Sequence, residues 1–501
     1  MASFSSTANK ANPHFSQFSF FDQYKSLADG QDESLDILGN PKIEYQSLWE
    51  MILSRVGIEK LMMAQKKAFY RYKQLGVTFS LKNGKEKTED RIFPFDVIPR
   101  LIVKREWEKI KKGLIQRLTA LNLFVEDVYH KQRILKDKVI PGELVLNSSG
   151  FVEQMVGLDV PRGIYAAVCG CDLLKDQKGN FIVLEDNLRI PSGVSYMLSA
   201  RMVLKECCPF FFSSQRPLPI QSYPKALLET FLDLHPPGCP QSQVAVLTPG
   251  PYNSAYFEHS FLANQMGTAL VESKELRIEN GKLYLKAGKT KKNITVLYRR
   301  IEEGFLDPEV FRPDSLIGLK GLFRLYREGK LNIINAPGCG IGDDKAIYSF
   351  VPQIIRYYLG EEPILHNVET YCCFNPKEKS YVLEKIEQLV VKEVSQSGGY
   401  GMLIGPVSSS RQREEFKQKI LANPQNYIAQ PLVWFSKLPC LVDGTVEPRR
   451  VDLRPFVLLG KEPRVVPGGL TRVAIDSQSF VVNSSQGGGS KDSWVIEDEK
   501  R

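Results

Sequence analysis

Nine cysteines, an odd number with no C-x-x-C pair among them, and only five histidines make neither a disulfide framework nor a cysteine–histidine zinc site. Cys169 and Cys171 flank a single glycine in an apolar run. Their period-2 placement marks them as buried structural thiols of a strand, not a redox pair. Long apolar runs are also missing. No stretch of about 18 consecutive apolar residues occurs, which excludes a conventional membrane-spanning helix. The opening MASFSSTANKANPHFSQFSFFDQYK has no cationic end leading into an apolar segment, so it does not read as an export signal. No repeat of about 20 to 50 residues is present, which excludes solenoids and propellers. A cytoplasmic protein without a membrane partner is the expectation.

The chain does have ample core. Its 501 residues are 43% hydrophobic and 25% charged, enough for two or three domains. The net charge of +9 bears on solubility and steering more than on chemistry. The basic cluster KREWEKIKKGLIQR from Lys104 is the candidate for nucleic-acid binding. Helical spacing, however, puts Trp107, Ile110, Leu114, Leu118, Leu121, Val125 and Val128 on one face, with the lysines on a solvated opposite face. No nucleic-acid partner is expected.

Along the chain, residues 1–140 read as a helical entry module, broken at FPFDVIPR by two prolines. In residues 141–214, IYAAVCGCDLL and FIVLEDNLRI form a hairpin across KDQKGN. Residues 215–335 alternate strands with a helix, as in a small α/β domain. Residues 336–485 are mixed, with helices near Ala346 to Leu359 and Glu414 to Leu421 and strands near Leu389 to Glu393, Tyr427 to Val433 and Val451 to Leu459. The Gly/Ser-rich segment 486–501 reads as a flexible tail.

Three constellations carry chemistry. In VVKEVSQSGGYGML, Gly398, Gly399 and Gly401 follow a strand bearing Lys392. Such a turn is either a plain hairpin or a backbone cradle for phosphate. It matches neither the P-loop nor the G-x-G-x-x-G template. In the hairpin, Glu185 and Asn187 share a face of one strand and Asp172 comes alongside on the other. These oxygen ligands suit Mg²⁺, unless the acids merely face water. Arg454 and Arg472 lie in VDLRPFVLLGKEPRVVPGGLTRVAI, either as surface charges or as a phosphate clamp. Arg299 and Arg300, in YRRI, read as exposed strand charges in preference to a carboxylate clamp.

Taken together, the lysine strand and glycine loop, the YIAQPLV strand, the DLRPFVLLG and TRVA strands and the CDLL/LEDNLRIPSG hairpin resemble the ATP-grasp ligases. Their order differs, because Glu185 precedes Lys392. That order, with FPFDVIPR, NAPGCGIGDDKAIYSFVP and NSSQGGGSKDSW, resembles the circularly permuted ATP-grasp family and its glutathionylspermidine-synthetase-like carboxylate–amine ligases. The likeness runs from about Asp96 to Trp494.

The resemblance implies an α+β fold: a circularly permuted ATP-grasp with a pre-ATP-grasp α/β domain at 215–335, metal-binding strands at 141–214 and ATP-binding lobes at 336–485. It implies ATP and Mg²⁺ as cofactors, with Lys345 and Lys392 on the nucleotide phosphates and Gly398, Gly399 and Gly401 as the lid. Gln430, where such hinges often carry glutamate, would sit beside adenine. Arg454 and Arg472 would act with Lys392 at the transferring phosphoryl group, and Asp172, Glu185 and Asn187 would hold the metal. The implied partners are a small carboxylate and an amine or peptide, with Asn483 to Lys491 and PYNSAYFEH candidates for the acceptor side; a protein partner or homo-oligomer is compatible. A non-catalytic ATP-binding scaffold and an ATP-grasp kinase are the alternatives. A pyridine-nucleotide oxidoreductase would need a glycine fingerprint after QVAVL, which TPGPYNSAY does not supply.

Overall fold

A computed structural model describes residues 19–29, 31–81, 89–239, 243–287, 290–394, 401–474, 476–477, 479, 482 and 488–498. Its centre is a sheet of nine described strands. Seven run in the order Arg464–Val465, Phe456–Leu458, Val168–Lys175, Thr445–Arg454, Leu470–Val473, Gly489–Ile496 and Phe95–Val103. Phe181–Asn187 pairs with Val168–Lys175, and Lys437–Val442 pairs with Thr445–Arg454. Val168–Lys175 is buried along nearly its whole length, as expected of a strand covered on both faces.

The hairpin expected around KDQKGN is present. Asp176 accepts the backbone N–H groups of Lys178 and Asn180 at 2.9 and 2.8 Å, closing the turn with its own side chain. The pairing register places Asp172 opposite Glu185, and a bulge follows directly, between Asp172 and Leu173. A bulge re-aims side chains where it interrupts a ladder, and this one lies beside the two acids.

A second sheet, Ala269–Val271, Val244–Leu247, Val296–Arg299 and Asn332–Ile334, is wholly parallel. A third, antiparallel, has the order Tyr371–Cys372, Tyr427–Pro431, Leu389–Glu393 and Met402–Ile404. Strand alternation gives this small sheet two different faces. Leu389, Val391 and Ala429 join a core with Val382 and Ile420 from the helices Pro376–Lys385 and Ser410–Ala422, which leaves Lys392 and Gln430 for the opposite side. Ser410–Ala422 starts at a Ser409/Gln412 capping box, so its first N–H groups are satisfied locally.

The long helix forms as read, at Lys104–Tyr129, with all seven expected apolar residues buried. Among the described residues no helix is long and apolar enough to cross a membrane. Four expectations are corrected. The stretch around FPFDVIPR does not merely break two helices: Phe95–Val103 is a buried strand of the central sheet, so the entry module is not purely helical. Arg299 and Arg300 are buried, paired to Glu303 and Glu258 at 3.0 Å each; a partnered charge is tolerated inside where a lone one is not.

The last two corrections concern the Gly/Ser-rich end. Gly489–Ile496 is not a tail but a buried strand, parallel to Phe95–Val103 and antiparallel to Leu470–Val473. Lys491, expected on the acceptor side, is instead buried against Asp96. Trp494 is fully buried, donates to Asp492 at 2.6 Å and packs against Phe212. Trp494→Ala is therefore expected to lower the unfolding free energy by about 3–5 kcal/mol in a urea titration, whereas a tail position would move it by less than about 0.5 kcal/mol.

Candidate active site

Asp172, 1% exposed, lies between two arginines. Arg454 Nε and Nη2 donate to its two carboxylate oxygens at 2.5 and 2.7 Å, and Arg472 Nη2 donates to Oδ2 at 2.6 Å. The strands supply this geometry: Thr445–Arg454 lies between the Asp172 strand and Leu470–Val473, with Asp452 paired to Arg472. Arg472 Nε is 3.0 Å from both oxygens of Asp452. Burial alone would raise the Asp172 pKa, but the two guanidinium groups outweigh it and hold the carboxyl well below its ordinary range.

Glu185 has the opposite balance. Burial and the adjacent Asp172 carboxylate push its pKa up, against the charges of Lys345 and Arg454. Arg454 Nη2 is 3.7 Å from Glu185 Oε1. Two residues on, the Asn187 side-chain nitrogen is buried without a hydrogen-bond partner.

The turn behind this strand is held from the parallel sheet's side. Glu258 accepts from Gly193 N–H at 2.7 Å and Ser195 O–H at 2.8 Å, while Arg300 donates to Pro191 O at 2.9 Å. Gly193 has φ +126°, and a Cβ there would meet Leu470 at 2.9 Å, so only glycine fits. Ser192 O in turn accepts from Arg454 Nη1 at 3.2 Å.

On the small sheet, Lys392 Nζ donates to Gln430 Oε1 at 2.7 Å, and Gln430 Nε2 donates to Thr370 Oγ1 at 2.9 Å. Burial lowers the Lys392 pKa to about 8; Lys345 pushes the same way, while Glu185 and Asp172 oppose it. These mutual influences show that Lys345, Lys392, Glu185 and Asp172 converge on one region. Gly401 has φ +65°, and its carbonyl accepts from Glu393 N–H at 3.1 Å. Gly398 and Gly399 lie outside the described residues.

The donor set fits a hard divalent cation in a particular way. Two adjacent carboxylates and an amide are oxygen-rich, but Asp172 is already engaged by both arginines, so Glu185 carries the more available oxygens. Among the described residues no cluster of three or more acidic, histidine or cysteine side chains forms a self-sufficient metal cage.

Asp452 was not singled out from sequence, although it stands two residues before Arg454 and so shares its strand face. Thr370 carried no local signal, and Ser192, inside the LEDNLRIPSG stretch, was given no role of its own.

A small antiparallel sheet with its lysine and amide, facing a large sheet with acids and arginines, defines the ATP-grasp class of fold. The profile described as "Circularly permuted ATP-grasp type 2" matches residues 99–474. An uncharacterized protein of Synechocystis sp. is 50% identical over 424 residues, covering 84% of this chain and 88% of that relative. The chain belongs to the circularly permuted ATP-grasp family. A Frankia casuarinae protein named "Putative glutamate--cysteine ligase 2-2" is 38% identical over 93% of this chain, which spans 54% of that longer relative. Among solved structures, a glutathione synthetase-like effector (GSS30) from Globodera pallida in apoform matches with a TM-score of 0.54 at 10% identity, over 88% of this chain and 97% of that one. This last likeness concerns the fold alone.

The lowered Lys392 pKa makes a signed prediction. The amine is cationic below about pH 8 and neutral above it, so affinity for a fluorescent ATP analogue is expected to fall as pH rises through that value. Lys392→Met should bind weakly and without that inflection. An inflection of unchanged size in the variant contradicts the assignment.

Proposed function

We propose that this chain is an ATP- and Mg²⁺-dependent carboxylate–amine ligase working through an acylphosphate. The observation that carries the reading is the convergence of Asp172, Glu185, Arg454 and Arg472 with Lys345 and Lys392. Family membership and the ligase name of the Frankia relative support it.

In this reading Lys345 and Lys392 bind the phosphates as point charges, and Gln430 and Thr370 form the hinge beside the base. Glu185, Asn187 and Asp172 would hold Mg²⁺, which would neutralise phosphate charge. A substrate carboxylate oxygen attacks the γ-phosphorus, and the bond to ADP breaks. The amine nitrogen then attacks the acyl carbon, inorganic phosphate leaves with the bonding electrons, and the amine proton passes to solvent. Phosphoryl transfer of this kind needs positioning and electrostatics more than a protein nucleophile. Arg454 and Arg472, fixed in place by Asp172 and Asp452, bring guanidinium forks that need little reorganisation when negative charge develops. The buried cysteines have no part in it: burial raises the pKa of Cys169 and Cys171 well above the ordinary thiol range.

The test uses purified protein, Mg-ATP and pools of amino acids, short peptides and polyamines. ADP formation should require both a carboxylate and an amine and fall at least about 100-fold in Glu185→Ala and Lys392→Ala, on the scale of losing an electrostatic contact to the transition state. ADP formed with one acceptor alone, together with a stable phosphorylated product, would make the protein a kinase. Tight ATP binding without turnover on any pool would make it a scaffold.

A further inference from the structure

Arg117 is the most informative residue that this mechanism does not use. It lies in the middle of the long helix, yet its side chain is 1% exposed and its guanidinium joins segments far apart in sequence. Nε and Nη2 grip Asp186 at 2.7 and 2.6 Å, and Nη1 donates to Asn367 Oδ1 at 2.7 Å. Its guanidinium also sits over the Tyr348 ring, 5.4 Å from the centroid.

Each partner stands next to a group of the candidate site. Asp186 lies between Glu185 and Asn187, on the face that alternation turns away from theirs. Tyr348 is three residues after Lys345 in the same short helix, and its hydroxyl donates to Val183 O at 2.5 Å and accepts from Val368 N–H at 2.8 Å. Asn367 belongs to the segment entering the small sheet, and its amide nitrogen donates to Tyr348 O at 2.7 Å. That segment bridges Val183 of the hairpin in parallel. It continues to Thr370, whose hydroxyl donates to Val368 O at 2.8 Å and accepts from Gln430. Gln430 holds Lys392.

We propose that Arg117 is a positioning residue that sets the spacing between the acid-bearing hairpin and the Lys392–Gln430 hinge, so that one nucleotide spans both. The chemistry favours this over simple stabilisation. A buried ion pair contributes little net stability compared with apolar packing, but a planar guanidinium with three directed bonds fixes relative orientation well. An arginine that only needed a counter-ion would be satisfied by Asp186; its third bond goes to the segment leading into the hinge. The inference rests on the proposed nucleotide site and extends it to a residue that touches no ligand.

Two variants test it, read by Kd for a fluorescent ATP analogue with Mg²⁺ at a temperature well below unfolding, and by Tm. Asn367→Ala leaves the Arg117–Asp186 pair intact and is expected to weaken nucleotide binding at least tenfold with a small change in Tm. Arg117→Lys, which keeps the charge but not the fork, is expected to bind at least tenfold more weakly than wild type, and Arg117→Met more weakly still. A purely structural role would lower Tm and leave Kd unchanged in the folded protein. Wild-type protein that binds no nucleotide overturns both the ligase reading and this inference. Wild-type protein that binds, with Asn367→Ala within twofold of it, overturns the positioning role alone.

Discussion

A buried carboxylate held by two arginines governs the architecture of the site. Asp172 sits on a central strand and takes three charged hydrogen bonds from Arg454 and Arg472. Removing one partner of such a group strands a desolvated charge, at a cost of about 3–5 kcal/mol. The strands carrying these residues therefore have little freedom to slip. The same alternation of charge continues inward: Arg472 is braced by Asp452, and the carbonyl of Asp452 accepts from Arg100 at 2.9 Å. Arg100 pairs with Glu33 at 2.6 Å, both almost wholly buried. The N-terminal segment thus ends up behind the arginines that hold Asp172.

The second constraint is the two-faced small sheet. Its apolar face packs on two helices, and its other face presents Lys392 and Gln430. A one-residue register slip would send the lysine into the core and a valine to the Gln430 side, so the packing that stabilises this lobe also aims its chemistry. Joining that face to the hairpin is a matter of a few directed bonds through Tyr348 and Asn367.

What was legible in the sequence follows from the range of each signal. The hairpin, the small-sheet strand Leu389–Glu393 and the apolar face of the long helix are written in local periodicity, and each formed as read. The side-by-side placement of Asp172 and Glu185 followed from the hairpin register, although the bulge that follows them left no mark in the residues. Gly489–Ile496 was misread because a Gly/Ser-rich entry masks a strand whose partners at Phe95–Val103 lie almost the whole chain away. Arg299 and Arg300 were misread because a charged residue looks solvent-facing until its acid is known. Glu258 comes from another part of the fold, and Glu303, though only four residues after Arg299, gives no sign in the sequence that the pair is buried.

The central claim is that residues from the two ends of this permuted order build a single nucleotide site. A crystal structure with Mn²⁺ in place of Mg²⁺ and a non-hydrolysable ATP analogue tests it most directly. The account predicts an anomalous Mn²⁺ peak within coordination distance of Glu185, the γ-phosphate between Arg454 and Lys392, and the base beside Gln430. Nucleotide bound elsewhere, for instance at the carboxyl ends of the parallel sheet, with no metal at Glu185, would contradict it.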